Sequence, residues 1–280
     1  MLKANEHPLH EIKANDVLAM NARTNIVPAL PEATESQTAE GRFLPTCKGC
    51  FVRQINACPG FGIKGDPENN RRAGTLPVAS VVQVVPARRP ILHQREISET
   101  VPVICSGWAA VSVSVPSGRR QIVSFLLAGD PASVNYLFEP CSGRAIDAVS
   151  QVSCRKLKRA DLLEAIAKNP AWVGSLGKSL GEERERNDQL SLDLSRRSAE
   201  ARIARVLCSL FDRMERRGQA RDNTIEFPVR QQQIADATGL TAVHVCKVLG
   251  RFKAAKLIHL DGRKLGILNR KGLQDLIEWD

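Results

Sequence analysis

The chain has 280 residues, enough for one large or two ordinary domains with cores of their own. Its 43% hydrophobic and 25% charged content reads as soluble and globular, and no apolar run approaches the roughly 20 residues of a membrane span. The net charge of +10 is uneven: residues 196–280 hold 17 Lys and Arg against 10 Asp and Glu, which points to a polyanion partner, with nucleic acid the first candidate.

The first residues, MLKANEHPLHEIKAND, lack the apolar centre of a secretory signal, so a cytoplasmic location is expected. Residues 1–40 mix polar positions with Pro28 and Pro31 and read as a mobile tail. Within 41–60, TCKGCFVRQINAC sets Cys47, Cys50 and Cys58 at metal-ligand spacing. In a reducing compartment such clustering favours metal or redox chemistry over disulfides. Most sites of this kind take four ligands, and only three stand here.

After the breaker-rich link GIKGDPENNRRAG, residues 76–153 give short strand signals: VASVVQVV, VICSGWAAVSVSV, RRQIVSFLLAGD and RAIDAVSQVSC. Pro, Gly and Asp punctuate them, the pattern of a small antiparallel barrel or roll. A helical period begins at LKRADLLEAIAKNP. Further on, Leu176, Leu180, Glu183, Asn187, Leu190 and Leu194 follow heptad spacing, with a charged opposite face at Glu182, Arg184, Glu185, Arg186 and Asp188. A long helix with one narrow seam predicts a partner helix, and the polar pair in its middle makes the association weak and adjustable.

The most specific stretch is RQQQIADATGLTAVHVCKVLGRF, 230–252. Small Ala235 stands four residues before Gly239, and Ile234, Leu240, Val245 and Val248 are apolar. Two crossed helices with a tight turn require such a set. Thr241 suits the N-cap of the second helix. LIHLDGRKLGIL then reads as two strands about an Asp-Gly turn, a wing.

A barrel, a helical seam and a winged helix-turn-helix, in that order, resemble the Crp/Fnr superfamily of bacterial transcription regulators. The resemblance covers about residues 76–280 and is strongest in SGWAAVSVSVPSGRRQIVSFLLAGD, SRRSAEARIARVL and the helix-turn-helix. It implies an α+β fold: an antiparallel β-roll sensor domain of the cyclic-nucleotide-binding type (61–168), a dimerisation helix (169–195) and a C-terminal winged helix-turn-helix (196–280). It also implies a homodimer on an inverted-repeat double-stranded DNA operator, with RNA polymerase as a further partner. Base contacts are expected from Val243, His244, Cys246 and Lys247, with Arg230, Thr241 and Arg251 beside them.

The resemblance leaves two kinds of sensor. The cyclic-nucleotide branch holds phosphate with an Arg-Ser pair and ribose with a Glu. Arg144 is present here, but Val134 replaces the Glu and Ala145 the Ser, so no cyclic nucleotide is expected. The branch of the fumarate and nitrate reduction regulator carries an N-terminal cysteine cluster and a fourth cysteine at the end of the barrel. Here that position is Cys154, in QVSCRKLKRADLLEAI. Four thiolates suit a [4Fe–4S] cluster and an oxygen or redox signal. Zinc on the same four residues, or a direct thiol switch, stays open, and seven residues separate Cys50 from Cys58, more than the family's usual spacing. Cys105, Cys141 and Cys208 are expected to be structural fillers.

The five His residues are scattered and no catalytic constellation stands out, so an enzyme is not expected. In a different class, an iron–sulfur carrier or electron-transfer protein with an incidental helical end is the alternative, against which the wing and helix-turn-helix argue.

Overall fold

A computed structural model of the chain describes residues 80–168 and 171–278. The expected tail and Cys47, Cys50 and Cys58 lie outside the described residues. The roll comprises β1 (Ser80–Val85), β2 (Pro90–Leu92), β3 (Thr100–Ser106), β4 (Ala109–Ser114), β5 (Arg120–Leu126), α1 (Asn135–Phe138), β6 (Ala145–Ala148) and β7 (Val152–Lys158). α2 (Arg159–Lys168), α3 (Ala171–Arg196) and α4 (Ala199–Arg216) follow. The chain ends with β8 (Thr224–Glu226), α5 (Gln231–Thr238), α6 (Ala242–Ala254), β9 (Ile258–Asp261), β10 (Lys264–Ile267) and α7 (Arg270–Glu278).

The roll is two antiparallel sheets, ordered β1-β7-β3 and β2-β6-β4-β5. RAIDAVSQVSC, read as one alternating strand, is two: β6 and β7 belong to different sheets, and residues 149–151 carry the chain between them. The β3–β4 turn needs Gly107. Its φ is +81°, and a Cβ there would sit 2.0 Å from the Gln151 carbonyl oxygen.

β4 and β5 are buried on both faces. Ala109, Val111 and Leu126 point into the roll's own core with Ile104, Ile146 and Val152. Their chain neighbours Trp108, Ala110, Phe125 and Leu127 join a second core with Phe211, Phe227, Val248 and other residues of the carboxy-terminal elements. Trp108 meets Phe227 edge to face, with ring centroids 6.0 Å apart. Polar links border this second core. Arg120 reaches Asp236 of α5 at 2.7 Å and Asp147 of β6 at 3.3 Å, and Asp130 takes Arg213 of α4 at 2.6 Å and also Arg217, which caps that helix.

Candidate nucleic-acid interface

Local chemistry sets the position of the two crossed helices. Gln233 accepts from the Arg230 amide at 2.9 Å and starts α5. Gly239, at φ +68°, ends it in the left-handed region. The Thr241 hydroxyl then accepts from the His244 amide at 3.2 Å and starts α6. Ile234, Ala235, Val245 and Val248 are buried beneath. This fixes which side of α6 looks outward. Val243, His244, Cys246 and Lys247 all lie on the solvent side, and Val243 is 68% exposed.

Arg230 is exposed at the start of α5, in a place to meet a backbone phosphate. Arg251 is exposed too, but its guanidinium pairs with Glu200 of α4 at 2.5 Å. It braces α6 against α4 as well as facing outward. Thr241 spends its hydroxyl on the cap. The β9–β10 turn, with Gly262 at φ +53°, holds Arg263 and Lys264 in the open. A cationic edge beside an outward helix is the geometry of a major-groove reader with a flanking phosphate contact.

The seam expected on α3 is divided among partners inside the chain. Leu176 is buried in the roll core. The Glu183 carboxylate accepts from Arg144 Nη1 at 2.8 Å and from the Ser133 hydroxyl at 2.9 Å. Leu194 lies against the turn of the crossed helices: a Cβ on Gly239 would be 3.1 Å from its Cδ2. Asn187 and Leu190 are half-buried. From Leu176 to Leu194 these positions pass from the chain's own roll to its head, with Leu180 exposed between them. The apolar residues that do face outward are Val173, Leu180 and Leu192.

Cys154 is not at a strand end. It is the third residue of the seven in β7, 0% exposed, between Gln83 and Ile104 in the ladder. Burial pushes its thiol pKa up against the opposing pull of Lys156. Cys208 is buried on α4 and its pKa is pushed up to about 11, mainly by burial. Cys141 is exposed, so it is no buried filler, and Cys105 is half-buried. Among the described residues no three His, Cys, Asp or Glu gather as a metal site. No helix among them is long and apolar enough to cross a membrane.

The functional residues that escape a sequence reading are Arg120, Asp130, Asp236 and Arg202. Each is an ordinary charge in the sequence: Arg120, Asp130 and Asp236 are paired across the packing of head on roll, and Arg202 meets the Thr238 carbonyl within the head.

Three comparisons bear on the whole. A profile for the Crp-like helix-turn-helix domain matches residues 201–276. The transcriptional activatory protein AadR of Rhodopseudomonas palustris is 28% identical over 223 residues, 76% of this chain and 87% of that protein. The fumarate and nitrate reduction regulatory protein of Vibrio cholerae is 24% identical over 200 residues, 69% of this chain and 80% of that one. Among solved structures, FixK2 from Bradyrhizobium japonicum shares the fold at a TM-score of 0.63 and 24% identity, covering 71% of this chain and 98% of that one.

Proposed function

The chain belongs to the Crp/Fnr superfamily of DNA-binding transcription regulators, and from that premise we propose that it reads an inverted-repeat operator as a homodimer switched by its cysteine segment. The observation that carries the reading is α6: a capped helix, buried on one side, with Val243, His244, Cys246 and Lys247 presented together on the other. Lys247 and His244 supply polar contacts to base edges, and Val243 suits a thymine methyl. A second copy pairs along α3. Val173, Leu180 and Leu192 face outward there, and added Cβ atoms on Gly177 and Gly181 would meet nothing within 4 Å.

The sensor is proposed on Cys47, Cys50 and Cys58, with Cys154 as the ligand that the resemblance supplies. Four thiols match a [4Fe–4S] cluster in donor chemistry, and such a cluster, when bound, supplies an oxidant-labile link. Cys154 stands wholly buried within β7, and a metal bound there would displace its proton, so that ligation would favour high pH. Zinc on the same four thiols is the second reading. Two observations support leaving cyclic nucleotides aside. Val134 is buried, and the Arg144 guanidinium is taken by Glu183.

Anaerobic visible spectra, metal content and DNA retardation test the reading together. The wild type is expected to be brown without oxygen and to lose colour and operator binding in air. Cys154→Ala is expected to be colourless, while Cys208→Ala, which also removes a buried thiol, keeps its colour. A brown Cys154→Ala protein would move the fourth ligand elsewhere. A colourless wild type with stoichiometric zinc would assign zinc, and a metal-free wild type that binds DNA equally in both atmospheres would remove the sensor. Absence of DNA retardation under every condition would overturn the regulator itself.

A further inference from the structure

α3 ends at Arg196 and α4 begins at Ala199, so a two-residue junction joins the long helix to the head. The Ser198 hydroxyl caps α4 by accepting from the Ala201 amide at 3.3 Å. A cap fixes where a helix starts but not its angle to the helix before it. Side chains around the junction fix that angle.

Asp193 is the centre of that set. It is only 8% exposed, while its neighbour Leu192 is 41% exposed. Its Oδ1 lies 2.6 Å from Arg197 Nη1 in the junction and 3.0 Å from Arg205 Nε in α4. Burial pushes the Asp193 pKa up, with Arg205 and then Arg197 pulling the other way. A carboxylate placed where it is poorly solvated depends on those two guanidiniums for its charge.

The set continues into the head. Arg202 donates from Nε to the Arg197 carbonyl at 2.8 Å and from Nη1 to the Thr238 carbonyl at 3.2 Å. Thr238 is the last residue of α5, beside the Gly239 turn. Leu194, one residue after Asp193, closes on that same turn from the apolar side. An unbroken series of contacts thus runs from the last turn of α3, through the junction, to the turn that aims α6.

We infer that Asp193 is a positioning residue that sets the angle of the head on α3, and through it the half-site spacing the protein accepts. This rests on the homodimer reading proposed above. In a dimer joined along α3, the separation of the two copies of α6 depends on that angle. Half-sites of such readers lie about one helical turn apart, roughly 34–36 Å. One added base pair displaces a half-site by about 3.4 Å along the axis. A head held at one angle penalises that displacement, because the second contact is gained only when both heads engage at once. A head on a loose junction does not. Asp193 touches no DNA, so its effect falls on spacing and not on base identity.

The full-length wild type, Asp193→Ala, Asp193→Glu and Arg205→Ala are compared in DNA binding. The half-site is first selected from random DNA with the wild type. Each protein is then titrated against that half-site alone and against inverted repeats whose spacers differ by single base pairs. The wild type is expected to show one preferred spacing. Asp193→Ala and Arg205→Ala are expected to keep the wild-type affinity for the single half-site and to lose the spacing preference, and Asp193→Glu restores part of it. Asp193→Ala with the wild-type spacing profile overturns the inference. A uniform loss on every DNA, half-site included, also overturns it, since that is the mark of a damaged head. If Asp193→Ala does not fold, Arg205→Ala and Arg202→Ala carry the same expectation. A wild type with no advantage on any inverted repeat over the half-site sinks the homodimer reading, and this inference falls with it.

Discussion

Two helices of this chain, α6 and α3, announce themselves in the sequence by an apolar stripe, yet only α6 faces where its stripe says. Val245, Val248, Leu249 and Phe252 go inward and Val243, His244, Cys246 and Lys247 outward, because turn and cap chemistry at Gly239 and Thr241 fix its rotation. α3 has no such anchor. Its stripe is divided between the roll, the head and solvent, and Glu183, placed by heptad spacing opposite its own twin, takes Arg144 and Ser133 instead. A stripe tells which residues seek burial. It tells whose surface they meet only when local backbone chemistry fixes the rotation.

The comparison breaks most severely if α6 is not held by its core. Ile234→Ala is expected to cost about 2–5 kcal/mol in denaturant unfolding, since the fully buried side chain leaves a cavity. A cost below that range would mean that α5 and α6 rest on their turn alone. Next, Glu183→Leu separates the two accounts of α3 by sign. As a seam residue facing its twin, leucine there would strengthen the dimer. Paired within the chain, Glu183 leaves Arg144 and Ser133 without their acceptor, and stability is expected to fall by about 1–3 kcal/mol. Thermal unfolding at several protein concentrations distinguishes lost stability from a gain in association.

Lys247→Ala sharpens the other side of the comparison. A loss of about 1–3 kcal/mol concentrated at one base pair is expected in a panel of single-base operator variants. An equal loss on all sequences would place Lys247 on phosphates. The smallest effect is chemical. Iodoacetamide at neutral pH is expected to modify Cys246 on the outward face of α6 and the exposed Cys141 before Cys208, whose thiol at about 11 is almost wholly protonated. Fast labelling of Cys208 in timed mass spectra would show that α4 opens.

The winged head was legible because its residues act locally: a small residue at Ala235, a turn glycine, a cap and an Asp-Gly wing carry their meaning within a few positions. The roll was legible as strands for the same reason. What escaped was whatever depends on distant packing. WAAV at 108–111 and FLLA at 125–128 are uninterrupted apolar runs, the mark of a sheet covered on both faces, yet the polar alternation that follows in SVSV suggests one open face. Cys154 reads as a strand end because β7 runs on into α2 through RKLK, where charge hides the strand. Arg251 reads as a DNA contact because nothing near it in sequence announces Glu200.

The edge-to-face meeting of Trp108 and Phe227 has a consequence for anyone who would take the protein apart. Residues 201–276 match a recognisable module, but that module finishes its interior with rings and aliphatic groups lent by β4, β5 and the residues beside them. Cut free, it would carry Phe227 and its neighbours as an open apolar surface, and it is expected to aggregate more readily than the whole chain. Grafting a relative's head onto this roll meets the same obstacle. No crossover within α3 avoids it, because α3 stands between roll and head in the chain and a cut there parts the two halves of the shared core.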